Sequence, residues 1–475
     1  MGKLKSFFKK VAYALGANLL SLMVSFLTTL IIPKFFGNQV EQYGYFQIYL
    51  FYSSYIGFFH FGWCDGVLLR DGGKEYKNLN KPIYSSQFWL ITVLQLVIAF
   101  GISIVGIFFV QDENYSFVCF AIALSVILYI PRTMLSYYLQ ATNRIKEYAA
   151  IMTSGRIVYG VAILLIVLFF NRDYRFFVGG DIIGLFVSFL FSIWWCRDIV
   201  FFKPTSLRTA FREAWINVSV GIKLLFANIA SLLVTGIVRW GIQNQWDVET
   251  YGKISFSLSV SNLILSFISA IALVLYPTLR RADESQLPKL YYTLRNSLMI
   301  PLLGFLLFYS PIEHILMLWL PQYEESMRYM AILFPMCVYA AKMTMLVQTY
   351  MNVFRLENLL LKINLIGVFV AIVTTFISVF VLKNLTCAMG SIVFNQMFRC
   401  IYAEIALAKR IKLNVIKDII YECCLCLLFI AVNCFFDGWR GLIIYFVGYL
   451  LFLLFKHSDI RKLFWEVNRL LKYRG

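Results

Sequence analysis

The sequence predicts an all-α polytopic membrane protein with about 14 transmembrane helices, and three observations support this fold class. The chain of 475 residues is 60% hydrophobic and only 14% charged, with a mean hydropathy of +0.74. Soluble globular domains carry about 25% charged residues, so the composition excludes that class. The apolar residues occur in blocks of about 18 to 27 residues, the length that a helix needs to cross a hydrocarbon core about 30 Å thick. The blocks lack the alternation of a transmembrane barrel.

Fourteen predicted spans follow one another with short connections between them. They cover residues 11–32, 43–69, 84–110, 115–139, 149–170, 176–196, 215–238, 251–279, 291–319, 328–351, 359–382, 385–408, 415–436 and 438–455. The first span follows four lysines, as a signal peptide would, but it is longer than the apolar region of about 7–15 residues in such a peptide. We therefore expect it to be retained as a helix.

The order of the spans predicts four regions. Residues 1–196 form an N-terminal six-helix lobe, and 215–408 form a C-terminal six-helix lobe. Between them, residues 197–214 mix four basic residues with phenylalanine and leucine, which is typical of an amphipathic cytoplasmic linker at the membrane surface. Residues 409–475 add two more transmembrane helices and a basic cytoplasmic tail, which we expect to form an amphipathic helix on the membrane surface.

A weak internal repeat supports the division into two lobes. Span 1 leads to Tyr43-Gly44 at the head of span 2, and span 7 leads to Tyr251-Gly252 at the head of span 8. Both pairs stand at the same end of equivalent spans. Repeated halves around a central site are common in transporters.

The distribution of Lys and Arg predicts that both termini are cytoplasmic. With this orientation, the cytoplasmic segments hold about four times as many Lys and Arg as the outer loops. The net charge of +18 follows largely from this bias and from attraction to anionic lipids, so we do not expect nucleic acid as a partner. The ten cysteines lie mostly in apolar blocks and predict neither disulfides nor a metal site.

Several cations lie at depths where a charge is costly, about 2.5–3.5 kcal/mol on insertion scales. Lys342 is about 18–20 Å from either end of its span at 1.5 Å per residue, too deep for its ammonium to snorkel easily to the interface. For Arg156, Lys223, Arg239 and Arg399, function and snorkelling remain alternatives. If these side chains face inward from both lobes, they line a cationic cavity that binds an anion, phosphate above all, beside polar residues that suit sugars.

Four further charged residues are candidates for a gate or for ion coupling. Asp181 lies just inside the outer end of span 6, and Glu404 lies near the inner end of span 12, on a different helix face from Arg399. Asp65 lies about 33 Å along a continuous helix from the start of span 2, near its cytoplasmic end. It could mark a helix end, contact Arg70 or another basic residue in a gate, or hold a coupling ion; we prefer the first two.

Pro335 precedes Lys342 by two helical turns. Because proline removes a backbone hydrogen bond, we predict that Pro335 is a hinge.

The stretches YGY at 43–45, GWCDG at 62–66 and LRDGGKEY at 69–76 closely resemble bacterial polysaccharide-biosynthesis flippases of the O-antigen exporter type. Their superfamily also contains multidrug-and-toxin exporters and the lipid II flippase. The span count, the linker and the layout of six plus six plus two spans extend the resemblance over essentially the whole chain.

The resemblance implies a V-shaped pair of lobes in the bacterial inner membrane, with alternating access from the two sides. It also implies an undecaprenyl-pyrophosphate-linked oligosaccharide as cargo, membrane lipids and polysaccharide assembly proteins as partners, and no cofactor beyond H⁺ or Na⁺ as an antiported ion. Its pyrophosphate would pass through the cationic cavity.

Other functions are less consistent with the sequence. A membrane glycosyltransferase or polysaccharide polymerase would need an acidic catalytic site on an outer loop or domain. Asp112-Glu113 lies in an outer loop of only about four residues, so we expect no catalytic residue and no enzyme. An exporter of drug cations within the same superfamily is disfavoured by a cationic cavity, and a purely structural scaffold would not need buried charges.

Overall fold

The fold is entirely helical in the part of the chain that the structure describes. The structure is a computed structural model that describes residues 20–280, 287–436, 438–457, 459 and 461. The lysine-rich N-terminal segment and the basic tail from 462 onward lie outside the described residues. The polytopic all-α prediction is confirmed.

Two compact units make up the described chain, and each is treated separately below. The first contains the described residues up to Ile229 together with Val248–Gly252, and the second contains Ala230–Asp247 and the described residues from Lys253 onward. The predicted lobe boundaries at 196 and 215 stay predictions.

The first nine helices are, in chain order, α1 Leu20–Phe36, α2 Val40–Ser53, α3 Trp63–Asp71, α4 Lys81–Phe108, α5 Glu113–Ala141, α6 Ile145–Phe169, α7 Tyr174–Trp195, the single turn α8 Arg197–Val200, and α9 Leu207–Gln245. Asp112 and Asp173 cap α5 and α7 by accepting backbone N–H groups in the first turn.

The remaining helices are α10 Val248–Arg280, α11 Leu287–Phe305, α12 Tyr309–Trp319, α13 Glu324–Leu333, α14 Met336–Val353, α15 Glu357–Val381, α16 Leu385–Ile411, α17 Ile416–Phe435 and α18 Trp439–Phe455. Within α14, the five residues Met343–Val347 form a π-helical turn directly after Lys342. Such turns are frequent at functional sites.

Each predicted span coincides with one helix or with two consecutive helices, as far as the described residues extend. By length and composition, eight described helical segments could cross a membrane, with α11 and α12 together forming the one segment Leu290–Trp319. The number is nine if the bent pair α13–α14 counts as one span, and α1 and α18 are shorter apolar helices. Large apolar side chains are exposed along them, among them Phe100 at 68% and Leu168 at 71%. In water such faces would be unstable, so they are lipid-facing.

Span 2 is broken, which corrects the prediction of a continuous helix. After α2, residues Ile56–His60 form a 3₁₀ turn, and Phe61 and Gly62 adopt left-handed backbone conformations with φ of 52° and 81° before α3 begins. A left-handed residue terminates a right-handed helix, because its carbonyl no longer points along the axis. Asp65 therefore lies in the first turn of α3, and the estimate of its depth along one straight helix is wrong.

One glycine of α3 and one of α9 bring the backbones of these two helices together. A Cβ atom on Gly66 would stand 1.8 Å from the carbonyl oxygen of Asn217, and one on Gly221 would stand 1.9 Å from the carbonyl oxygen of Gly62. No other residue fits in these positions without moving one helix. The GWCDG stretch is thus a close helix-packing contact.

The two Tyr-Gly pairs of the internal repeat meet in the first unit. A Cβ atom on Gly252 would lie 3.1 Å from the Cα atom of Gly44, and one on Gly44 would lie 2.2 Å from the carbonyl oxygen of Val248. The beginnings of α2 and α10 therefore pack backbone to backbone, which only glycine permits at this distance.

The linker is tied to the connection before α4. Asp198 accepts hydrogen bonds from the Tyr76 hydroxyl at 2.8 Å and pairs with the Lys81 ammonium at 3.0 Å. Partial burial raises the pKa of Asp198, but these two donors outweigh it and hold the pKa below its usual range. From Leu207 onward the predicted linker is already the start of α9.

Candidate functional site: buried charges in the two units

A quartet of buried charges lies at the centre of the second unit. Arg295 donates from Nε to Glu404 Oε1 at 2.7 Å, and its Nη2 lies 2.7 Å from Glu422 Oε1. The Lys342 ammonium contacts both carboxylates, with Nζ 2.6 Å from Glu422 Oε2. All four residues are at most 2% exposed. We call Arg295, Lys342, Glu404 and Glu422 the buried quartet; two positive and two negative charges make it neutral.

The buried quartet continues toward the end of α18. Arg295 Nη1 lies 3.3 Å from Asp418 Oδ2, and Asp418 Oδ1 lies 2.6 Å from Lys456 Nζ, which also contacts Asp459 Oδ2 at 2.9 Å. Glu422 and Asp418 are both on α17. The network thus attaches the last two helices to α11, α14 and α16 by ionic contacts.

Lys342 is as deeply buried as its sequence position indicated, but it is not unpaired. It has no exposed surface, and two carboxylates neutralise it. Charges in a low-dielectric interior are stable only when paired in this way. In this conformation Lys342 therefore does not line a water-filled space, contrary to the expectation of a cavity cation. Glu404 contacts Arg295 and Lys342 and not Arg399, as the helix-face argument indicated.

Pro335 stands at a bend. The helices Pro321–Leu333 and Met336–Val353 meet at an angle of 47°, and Pro335 occupies the junction between them. The kink follows from the missing N–H of proline. Its movement during transport stays a prediction.

Arg399 is held by neutral partners in the second unit, and Arg239 of the same unit contacts a hydroxyl group. Arg399 is 6% exposed; it donates to Asn364 Oδ1 at 2.9 Å and to Ser231 Oγ at 2.8 Å. Arg239 is partly buried and donates to Ser255 Oγ at 3.3 Å. Amide and hydroxyl groups solvate a guanidinium without cancelling its charge.

Arg156 and Lys223 differ from the other expected cavity cations. Both are exposed, on α6 and on the first part of α9, and neither forms an ion pair or side-chain hydrogen bond with the described residues. Of the five cations expected to line the cavity, these two are the exposed ones. The structure does not bring all five into one cluster within either unit.

Asp181 lies in a polar contact of the first unit. It accepts a hydrogen bond from the Tyr49 hydroxyl at 2.8 Å, and that hydroxyl also lies 3.2 Å from Ser125 Oγ. Asp181 therefore has a neutral partner and no ion pair with a described residue. Arg132 of α5 is a buried cation of the same unit; it is 8% exposed, and its Nη1 lies 3.4 Å from Ser188 Oγ.

Asp65 and Arg70 are both on α3 but do not pair with each other. Arg70 Nη2 lies 3.1 Å from Glu213 Oε2, and its Nη1 donates to Asn217 Oδ1, both on α9. Asp65 is 5% exposed, and its Oδ2 lies 3.9 Å from His60 Nε2. The structure does not form the contact between Asp65 and Arg70, and the basic residue near Asp65 is His60. Asp65 lies in the first turn of α3, as the helix-end alternative predicts, and a role in gating stays a prediction.

Sequence reasoning missed His60, Arg295, Asp418 and Glu422. The signal was present for three of them: His60 lies in the middle of predicted span 2, and Arg295 and Glu422 lie several residues inside predicted spans. Testing every ionisable residue in a span for a partner would have found them.

Comparisons with solved structures show the fold. The lipid II flippase MurJ, in an inward closed conformation, superposes with a TM-score of 0.67 at 11% identity and covers 95% of this chain and 100% of its own. An inward-facing multidrug resistance MATE family transporter of the MOP superfamily gives 0.62 at 12%, covering 83% and 98%. A MOP superfamily transporter from Pyrococcus furiosus gives 0.51 at 11%, covering 85% and 96%.

No protein-family model and no curated protein sequence matches the chain. At identities this low, the likeness establishes architecture and leaves substrate and mechanism to the residues of the site. The chain therefore has the multi-pass helical fold that transporters of the MOP superfamily share, as the sequence predicted.

Proposed function

We propose that the protein is a flippase of the bacterial inner membrane that moves an undecaprenyl-pyrophosphate-linked oligosaccharide from the cytoplasmic to the periplasmic leaflet by alternating access. Both termini would be cytoplasmic, H⁺ or Na⁺ would couple transport, and polysaccharide assembly enzymes would supply and remove the glycan. The proteins of similar fold are transporters and a flippase, which supports transport rather than catalysis.

The extent of the structural likeness favours a lipid-linked cargo over a multidrug cargo. The lipid II flippase covers 95% of this chain, whereas the MATE transporter covers 83%. The chain also fastens α17 and α18 to its second unit through the buried quartet and Asp418, so these helices are an integral part of the fold. The name of the flippase indicates a lipid-linked substrate, and we carry that class over to this chain.

The observation that carries the choice of an anionic headgroup is the available charge of Arg156 and Lys223. Each stands in a helix of membrane-spanning length, is exposed, and has no carboxylate partner among the described residues. A cation in that position needs water or an anion to offset the cost of about 2.5–3.5 kcal/mol. A pyrophosphate accepts charge-assisted hydrogen bonds from both guanidinium and ammonium groups. A cationic drug would be repelled.

Lys342, Arg239 and Arg399 would have secondary roles in substrate binding. Arg399 retains its charge among neutral partners, and Arg239 donates to Ser255 Oγ. Lys342 would become available to an anion only if Glu404 and Glu422 moved away. Pro335, two turns before Lys342, lies at the bend where such a movement would begin. Asp65, Arg70, Asp181 and Glu404 are the proposed gate and coupling residues.

Complementation tests this function. Bacteria that lack their own oligosaccharide flippase would be supplied with this chain and with enzymes for one defined repeat unit at a time, and surface polysaccharide would be measured. We expect export for at least one repeat unit, and loss of at least nine-tenths of it in Arg156→Gln, an effect of about 1.4 kcal/mol or more. Lys362→Gln, an exposed lysine of α15, is the matched control. Export unchanged in Arg156→Gln at equal expression would contradict the proposed headgroup site.

A further inference from the structure

His60 is a buried titratable residue at the break in span 2. It is the last residue of the 3₁₀ turn, it is 5% exposed, and it immediately precedes the left-handed pair Phe61 and Gly62. The neighbouring Phe59 carbonyl accepts a hydrogen bond from Gln95 of α4 at 3.1 Å. The ring is therefore held in a protein interior and cannot orient freely.

One ring nitrogen of His60 fixes the turn. Nδ1 accepts a hydrogen bond from the backbone N–H of Gly62 at 3.0 Å. An imidazole nitrogen that accepts a hydrogen bond carries no proton, so the proton of the neutral ring is on Nε2. The bond links the histidine to the residue that begins α3, and Gly62 itself packs against the backbone of Gly221 and Ile222 of α9.

The second nitrogen points toward a carboxylate. Nε2 lies 3.9 Å from Asp65 Oδ2, which is beyond hydrogen-bond range but close enough for a strong Coulomb attraction in a buried site. Asp65 is 5% exposed and stands in the first turn of α3, where a helix favours negative charge.

The charge interaction between His60 and Asp65 has few titratable or charged neighbours among the described residues. Tyr137 of α5 and Cys64 are the titratable neighbours of Asp65. Gln95 of α4 donates to the neighbouring Phe59 carbonyl, and the backbone of α9 packs against Gly62. Glu213 of α9 is paired with Arg70. Among the described residues, no Lys or Arg forms an ion pair with Asp65.

These contacts make the protonation of His60 incompatible with the present turn. A proton bound at Nδ1 converts the acceptor into a donor, so that two N–H groups face each other and the bond from Gly62 is lost. The resulting imidazolium is at the same time attracted to Asp65. One proton thus removes the contact that fixes the Phe61–Gly62 turn and adds an ion pair to the first turn of α3.

We propose that His60 is a proton-binding residue of the transport cycle, and that proton uptake at Nδ1 releases the Gly62 N–H and shifts α3 against α9. This inference rests on the proposed function for its role in transport. The proton comes from water on the side to which the site is open, and no other bond forms or breaks. Asp65 acts as the positioning residue that stabilises the imidazolium.

A gradient assay tests the role in transport. The full chain is reconstituted in vesicles of phosphatidylcholine and phosphatidylglycerol with a fluorescent polyprenyl-pyrophosphate disaccharide, and the distribution of this lipid between leaflets is measured with and without a gradient of one pH unit. With one proton coupled per lipid, the gradient shifts that distribution by up to about tenfold.

His60→Asn separates titration from structure. The asparagine carbonyl can still accept the Gly62 N–H, but the side chain cannot take up the proton. We expect its ratio of distributions with and without the gradient to fall to about 1. His314→Gln, an exposed histidine of the second unit, should behave like the wild type. A shift that persists in His60→Asn, or a wild type that flips the lipid without responding to the gradient, would overturn the proposal.

A second readout does not depend on transport. In the full chain labelled with ¹⁵N-histidine in lipid nanodiscs, with His60 assigned by its loss in His60→Asn, we expect an unprotonated Nδ1 at neutral pH. On acidification, protonation of Nδ1 should coincide with a change in the amide resonance of Gly62. A ring that carries its proton on Nδ1 at neutral pH, or that stays neutral until the protein unfolds, would refute the site. If no variant flips the lipid but the resonances behave as expected, the proposed function fails and the proton site stands.

Discussion

Replacement of Lys342 by methionine tests whether the buried quartet is held together by its charges. Methionine has nearly the same length and shape, so the substitution removes the charge with little change in packing. Lys342 is fully buried and contacts both Glu404 and Glu422. Without it, two buried carboxylates face the single guanidinium of Arg295, and one negative charge is uncompensated.

The expected cost is large. Breaking a buried ion pair by removing one partner typically costs about 3–5 kcal/mol, and Lys342 loses two carboxylate contacts, so we expect a value within that range or above it. The assay is the free energy of unfolding of the purified protein in mixed micelles. Lys362→Met removes an exposed lysine and should change that free energy by less than about 0.5 kcal/mol.

The double variant Lys342→Met with Glu422→Gln shows whether charge balance is the cause. It leaves one positive and one negative charge in the quartet, so we expect it to be less destabilised than the sum of the single variants by about 1–3 kcal/mol. A cost below about 1 kcal/mol for Lys342→Met, or strict additivity in the double variant, would refute the reasoning.

Three further outcomes are expected. Gly66→Ala places a Cβ 1.8 Å from a carbonyl oxygen of α9 and should destabilise the protein by about 1–3 kcal/mol or more. Gly101→Ala, with open space around it in α4, should stabilise the protein by about 0.5–1 kcal/mol. Thermal unfolding of both variants checks these expectations. Asp198→Asn should lower stability at neutral pH but not at acidic pH. Two donors depress the pKa of Asp198 in the folded protein, so its stabilising contribution is present above the usual Asp pKa and is lost as the pH falls through the lower folded value. The unfolding midpoints of the wild type and Asp198→Asn should therefore converge at acidic pH. Pro335→Ala should restore a backbone hydrogen bond at the 47° bend and slow lipid flipping without loss of stability; flipping as fast as in the wild type would exclude a hinge.

The helices and their number follow from the sequence because burial in lipid requires long apolar segments whose backbone groups pair internally. The bend at Pro335 follows for the same reason, since proline cannot supply its N–H. The break after His60 did not follow, because Phe61 is not a residue whose left-handed conformation a sequence indicates, and Gly62 alone also occurs within helices.

The candidate site was only partly predictable. Counting residues located Lys342 at depth, but its partners Glu404 and Glu422 are on other helices, and the sequence does not show which helix faces meet. From the sequence, Arg156, Lys223 and Arg399 were equally plausible cavity residues. Only the structure shows that Arg156 and Lys223 are exposed, whereas Arg399 is held by neutral partners. Composition thus fixed the architecture, whereas the pairing of charges required tertiary structure.

The most direct test of the proposed function compares lipids that differ only in headgroup charge. The purified chain is reconstituted in proteoliposomes, and transfer between leaflets is measured for a polyprenyl-pyrophosphate disaccharide and for the same disaccharide on an uncharged polyprenyl ether. If a cationic site selects the headgroup, the pyrophosphate lipid should be transferred at least about tenfold faster, a difference of about 1.4 kcal/mol. Equal rates for the two lipids, or faster transfer of the uncharged one, would contradict it.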